Sequence, residues 1–410
     1  MENLEFTLRL VTPAFVGGGD DIEANTSLQY KGRRPRHRQI GQGGDSLRIP
    51  SLRGVLRFWL RAKEDPRDLD RLHAREAVVL GSADIGQGVR IRPVGRPAWK
   101  RETISTPAGD AKAYLGYGPL NYNDDTKQFS SHNKFTFRDA IPAGTAFSFA
   151  ASGTAQQIKE LQACLILLHL FGGIGARSRR GWGSVEVESA EMPSLVKPEQ
   201  PESVREWFVE LLGSVWSNSY RPSHASITPT YSAFSHVTGI RLLPMVEGEY
   251  GQVFEEFFRR FADVRLWDYR GRRGWTHSAR AQTDHDLERQ DAGDANALTG
   301  VPERLAFGLP YSPISRNSGW AIAYHGRKST ASSTNERDWT TRRASPLFLK
   351  VHRFSPNHHF GIALHLDAQF FGDSRLEIGA AGKPNTRSVP GPAAIHDFLN
   401  QPGWTKIALP

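Results

Sequence analysis

Five glycines and three arginines crowd residues 171–184, FGGIGARSRRGWGS, and the segments on either side restrict the fold more than anything else in the chain. Upstream, 156–170 (QQIKELQACLILLHL) is apolar and long enough for a buried helix. Downstream, SVEVES sets Val185 and Val187 on one face of a short strand. Nucleotide-binding glycine loops run the opposite way, out of a strand and into a helix whose N-terminus meets the phosphate. The residue pattern fails as well, because the stretch has no Gly-Lys pair and Ser178 stands where a dinucleotide loop needs its third glycine. A nucleotide site is set aside, which leaves a helix-to-strand connection of unusual charge.

The elements before this connection set its context. LEFTLRL alternates strictly, with Leu4, Phe6, Leu8 and Leu10 on one face of a half-buried strand. In SLRGVLRFWLRA, Leu52, Val55, Leu56, Trp59 and Leu60 recur at helical spacing, with Ser51 placed as the N-cap. A second helix is expected at Leu72–Leu80, and GVRIRPV, KFTFRDA and GTAFSFA read as strands. Strand, helix, strands, helix, strand is the split βαβ order, an antiparallel sheet with helices on one face.

Residues 191–203, with three prolines, read as a linker between an N-terminal domain, 1–192, and a C-terminal domain, 201–410. In the second half HVTGIRLLPM, GWAIAYHG, PLFLKVHRF and HFGIALHLDAQFF read as strands, and YGQVFEEFFRRF and PAAIHDFLN as helices. A degenerate second copy of the same plan with its own core follows, which makes the fold class α+β. The polar stretches 278–300 and 328–343 read as loops or lids.

Charge points toward a polyanion: 52 Lys and Arg against 43 Asp and Glu give a net +9. Between Lys31 and Arg61 stand nine basic residues and a single acid, Asp45. Arg53, Arg57 and Arg61 stack at i, i+4 and i+8 with no acid on their own helix to pair them, so phosphates are the expected partners. In the glycine stretch, Arg177, Arg179 and Arg180 are candidates for phosphate, and the glycines leave room for a foreign backbone. Trp182 is open to stacking on a base or packing in the core. Two further clusters interleave bases with aromatics: Arg270, Arg272 and Arg273 beside Trp275, and Arg342, Arg343 and Lys350 around a strand. That mixture suits single-stranded RNA, where charge and stacking share the affinity.

Other chemistry finds little support. The lone Cys164 excludes internal disulfides and Cys-rich zinc sites and reads as a small core residue. The histidines show no metal-ligand spacing, and no cofactor or metal is called for. Asp20-Asp21 is open to a metal but reads as a surface turn. No run reaches a membrane span and no leader precedes the first strand, so a cytoplasmic protein without a membrane partner is expected.

TPAFVGGGD, RIPSLRGVLRFWLRA, FGGIGARSRRGWGSV and RASPLFLKVHR together resemble the RAMP superfamily of CRISPR proteins. Within it they are most similar to the family of first subunits of Cmr (type III-B) RNA-guided effector complexes. The resemblance implies two ferredoxin-like (RRM-like) domains in tandem and contact with guide RNA and single-stranded target RNA near the guide 3′ end. It also implies other Cmr subunits as partners and no catalysis by this subunit. Carried over, Ser51, Arg53 and Arg57 match the RNA-facing helix, and Gly172, Gly173, Gly175 and Gly181 the RNA-facing loop. Some relatives on this fold cut RNA with a histidine, so the rival reading is a metal-independent endoribonuclease using His37 or His132 as general base.

Overall fold

The computed structural model describes residues 1–16, 47–84, 86, 88–95, 97–123, 126–133, 136–137, 139–216, 221–224, 228–265, 279–293, 298–308, 324–328, 344–368, 376–380, 386–388 and 390–409. Helices and strands mix throughout, and every strand pairing within the described sheets is antiparallel.

Strand β1 (Glu2–Leu10) buries Leu4, Phe6, Leu8 and Leu10, as its alternation requires. It is central. On one side β3 (Ala146–Gly153) pairs with it, Phe6 opposite Phe149, and β2 (Arg90–Val94) pairs with β3. On the other side lies β4 (Val185–Glu188), Leu8 opposite Val187. In chain order the sheet therefore reads second, third, first, fourth. Helices α1 (Ile49–Lys63) and α2 (Leu69–Leu80) bridge β1 to β2, and α3 (Ala155–Phe171) bridges β3 to β4. Thr154 and Gln157 close a reciprocal cap at the start of α3. Helix α1 starts earlier than its sequence suggests: Arg48 is the N-cap and Pro50 sits in the first turn, so Ser51 lies inside the helix and caps nothing. Proline fits there because first-turn N–H groups have no helical acceptor.

Between β2 and β3 the chain inserts a small module. It consists of the helix Ala111–Leu115 and a three-stranded sheet of Ser105–Pro107, Gln128–Ser130 and Asn121–Asn123. Within KFTFRDA the described residues include a strand, Thr136–Phe137, paired with His132–Asn133; Lys134, Phe135 and Arg138 lie outside the described residues.

The second half repeats the strand order. The repeat is made by four strands of its five-stranded sheet, β5 (Gly239–Leu242), β6 (Leu347–Ser355), β7 (His358–His365) and β8 (Thr405–Ile407); the short strand Val246–Glu247 also pairs with β7, and Tyr324–Lys328, Leu376–Ala380 and Thr386–Ser388 form a separate sheet. Strands β5 to β8 again lie second, third, first, fourth, with α5 (Tyr250–Arg265) after β5 and α6 (Ala393–Leu399) after β7. The stretch expected as a polar loop forms a helix, Ala279–Gly293. Its buried face is acidic: Asp284 accepts the backbone N–H groups of Glu303 and Arg304, and Glu288 pairs with the buried Arg304 guanidinium at 2.7 Å. Such a face leaves no apolar period to read.

The halves do not keep separate cores. One apolar cluster joins Leu4, Leu56, Trp59 and Leu165 to Ile240, Phe348, Ile362 and Leu364. Another joins Val11, Phe15 and Trp182 to Phe254, Phe257, Leu349 and Phe398. The expected linker is part of the first cluster, through Met192 and Leu195, and is followed by α4 (Val204–Gly213), which adds Phe208 and Leu212. An independent second core is therefore corrected to a shared one.

Candidate nucleic-acid interface

The glycine loop forms the seam between the halves. Its backbone is held by the segment that follows β1, where Ala176 N–H donates to Phe15 O at 2.9 Å and Gly183 N–H to Pro13 O at 2.9 Å. From the other half, Leu349 N–H donates to Arg179 O at 3.0 Å and Val351 N–H to Ser184 Oγ at 3.1 Å. The glycines serve this packing. A Cβ on Gly175 (φ +83°) would stand 2.7 Å from Phe15 O, and one on Gly181 2.6 Å from the Phe254 ring. One on Gly183 would overlap the Ile174 carbonyl. At Gly172 and Gly181, both buried, the protein's own chain fills the space beside the backbone, whereas Gly173 is half-buried and Gly175 exposed. Trp182 resolves to core, fully buried between Phe15 and Phe254 with ring centroids 4.9 and 5.1 Å away.

The three loop arginines take different places. Arg179 lies over the Phe348 ring at 4.4 Å and the Phe58 ring at 5.3 Å, and donates to Ser345 O. Arg180 lies near the Tyr114 and Phe261 rings at 6.0 and 5.8 Å. Both are half-buried cations on aromatic faces that join the halves. Arg177 is exposed, with a left-handed backbone at φ +62°.

Lys350 is a correction. It is 1% exposed and out of reach of any RNA. Its ammonium donates to Gly172 O at 2.5 Å, to Val185 O and, more distantly, to Leu168 O at 3.4 Å. Those carbonyls belong to the C-terminal end of α3 and the start of β4, so one cation from the second half ties down both ends of the glycine loop. Carbonyls at a helix C-terminus lack helical partners and favour a cation. His352, two residues on and also buried, adds a 2.9 Å bond to Leu170 O. Replacing Lys350 with Met should cost about 3 kcal/mol in thermal or denaturant melts, because buried carbonyls lose their donor. Burial pushes the Lys350 pKa well below its ordinary 10.5, with Glu186 opposing that and Lys197 reinforcing it. Between the folded value and 10.5 the unfolded chain binds more protons, so native stability rises with pH across that window, and the Met variant should lack this rise.

Arg53, Arg57 and Arg61 have partners after all, on the neighbouring helix and the segment that follows it. Arg53 donates to Leu80 O at 2.8 Å and Val89 O at 2.6 Å, and Arg57 to Gly81 O at 2.6 Å, which caps the end of α2. Arg61 forms a two-bond pair with Glu76, and Arg57 lies 3.3 Å from the same carboxylate. The hydrogen bond from Arg61 holds the Glu76 pKa low and raises that of Arg61, while burial lowers that of Arg53. Spacing on one helix could not reveal acceptors on another. Of the row, Arg61 is exposed. Beside it runs a ridge of Ser51, Gly54 and Phe58, where a Cβ on Gly54 would meet nothing within 4 Å.

Arg270, Arg272, Arg273, Arg342 and Arg343, together with Asp20, Asp21 and His37, lie outside the described residues; of His132 the backbone strand is described. Among the described residues no group of three His, Cys, Asp or Glu is arranged to hold a metal, and no helix is long and apolar enough to cross a membrane. His169, His352 and His365 are at most 1% exposed. Burial pushes the His169 and His352 pKa values well below their ordinary range.

Residues 7–186, which contain this sheet and the glycine loop, match the RAMP superfamily. Among individual proteins, the CRISPR system Cmr subunit Cmr1-2 of Pyrococcus furiosus is 26% identical over 187 residues, 41% of this chain and 93% of that protein. The crystal structure of Cmr1 from Pyrococcus furiosus in its apo form is similar over 93% of this chain and 99% of that chain, with 16% identity and a TM-score of 0.45. A chain of the type III-B Cmr-beta complex bound to cognate target RNA is similar over 97% of this chain and 98% of its own, with 11% identity and a TM-score of 0.47.

Proposed function

We propose that the chain is a non-catalytic RNA-binding subunit of a type III-B CRISPR (Cmr) effector complex. It would contact guide RNA and single-stranded target RNA near the guide 3′ end and dock against other Cmr subunits. Two ferredoxin-like units, 1–192 and 201–410, would work as one body. The match to a Cmr subunit over 93% of that protein supports the assignment to the complex.

One observation carries the RNA reading. KGRRPRHR, eight residues with five basic side chains and no acid, belongs to the stretch 17–46, which also carries Asp20, Asp21, Glu23 and Asp45; the chain enters that stretch from Val16, which packs beside Gly175. It leaves the stretch at Leu47, next to exposed Arg48 at the start of α1. The two ends of the stretch therefore flank the loop that carries Arg177 and the helix that carries Arg61. We assign the RNA contacts to Arg48, Arg61 and Arg177, to the Ser51–Gly54 ridge, and to the outer edges of Arg57, Arg179 and Arg180. Arg270, Arg272, Arg273, Arg342 and Arg343 remain in the set on charge alone.

Titrating single-stranded RNA at several salt concentrations tests this. Arg177→Ala should weaken binding alike for every sequence and flatten the log–log salt slope by about 0.7, the share of one phosphate contact. Its melting temperature should stay near that of the parent, whereas Arg179→Ala and Arg180→Ala should also lower stability. A salt slope untouched by Arg61→Ala and Arg177→Ala would sink the assignment. Cleavage of a labelled guide precursor without metal would instead favour the histidine endoribonuclease.

A further inference from the structure

The inserted module brings an aromatic side chain to the surface beside the glycine loop. Helix Ala111–Leu115 ends in a turn where Gly118, at φ +112°, presents bare backbone to Arg177. A Cβ on Gly118 would lie 2.8 Å from Arg177 Nη2 and 3.5 Å from its Cζ, so the guanidinium packs directly over this glycine. The left-handed backbone of Arg177 is uncommon for a residue with a Cβ, and its side chain reaches the inserted module of the same half.

The residue before Gly118 is Tyr117, 61% exposed. Its aromatic neighbours Tyr114, Tyr122 and Phe129 are half-buried. Phe129 meets the Tyr117 ring edge-on, with centroids 6.4 Å apart at 61°, and is itself braced by Tyr122 at 5.5 Å. The ring is thus supported from one side while most of its surface faces solvent. Packing does not require a tyrosine there. The exposed ring of Tyr117 and the guanidinium that packs over the next residue, Gly118, thus belong to one turn, and single-stranded nucleic acid engages such groups together, the ring with a base and the cation with the backbone.

We propose that Tyr117 and Arg177 form a subsite for one nucleotide of single-stranded RNA, the base stacking on the Tyr117 ring and the adjoining phosphate on the Arg177 guanidinium. This rests on the RNA-binding function above and adds a stacking contact that charge does not supply. Stacking tolerates any base, which fits a subunit that reads backbone and shape.

Fluorescence anisotropy with the full chain and two probes separates the possibilities: a short oligoadenylate and an abasic ribose-phosphate strand of the same length. Tyr117→Ala should weaken oligoadenylate binding about tenfold or more without changing the salt slope, and should leave binding of the abasic strand as it was. Tyr117→Phe should bind oligoadenylate like the parent. Arg177→Ala should flatten the slope on both strands by about 0.7. The subsite is overturned if Tyr117→Ala binds oligoadenylate as the parent does, or if it loses equally on the abasic strand. If the parent binds neither strand, the RNA-binding function itself falls and the subsite falls with it.

Discussion

Residues 201–410 expressed alone should aggregate, although the strand order of that half is complete. Phe348, Ile362 and Leu364 pack in one cluster with Leu56, Trp59 and Leu165, while Phe254, Phe257 and Leu349 pack in another with Phe15 and Trp182. Removing the first half opens both clusters to water, and exposed apolar surface on this scale drives association. Polar bonds are lost too, since Lys350, Val351 and Arg353 on β6 all bond to the first half. Co-expression of 1–200 and 201–410 as separate chains should rescue solubility, and the two should co-purify. Size-exclusion chromatography and circular dichroism provide the check. A soluble, cooperatively melting 201–410 fragment would show that the shared clusters contribute little.

Elements with a strong apolar pattern were legible from sequence: β1, β3 and the body of α1 by one apolar face, and α3, β6 and β7 as apolar runs buried on all sides. What escaped was everything whose partner is remote. Arg53 and Arg57 read as unpaired because their acceptors, the Leu80, Gly81 and Val89 carbonyls, are backbone groups that carry no sequence signal. Lys350 read as a surface base because its neighbours Arg342 and Arg343 are basic, yet its strand is buried from Leu347 to His352. A strand buried on both faces loses the alternation that would have flagged a lysine as interior. Helix Ala279–Gly293 was missed for the converse reason, its buried side being carboxylates around Arg304. Tyr117 carries no motif at all, and only its exposure beside Arg177 singles it out.

Gly183→Ala should leave little folded protein, and Gly54→Ala should do the opposite. Both glycines belong to segments that match the RAMP pattern, so sequence alone gives them the same reading. At Gly183 the backbone is left-handed, φ +63°, and a Cβ would overlap the carbonyl oxygen of Ile174. That oxygen cannot swing aside, because the neighbouring Ile174 N–H donates to Gly183 O at 2.8 Å and Gly183 N–H donates to Pro13 O at 2.9 Å. Relief would need the loop to leave the segment that follows β1, which would also disturb the Trp182 packing and the Lys350 clamp on Gly172 and Val185. Strain of this kind in a close-packed seam should cost about 4 kcal/mol or more, a large part of the stability of any single chain. Gly54 sits in the exposed interior of α1 with open space around it, so an alanine there should stabilise the helix by roughly 0.5–1 kcal/mol. Thermal melts of the two purified variants beside the parent decide it. Should Gly183→Ala melt like the parent, the glycine loop would not be the rigid seam described, and its glycines would have to be explained by an outside ligand.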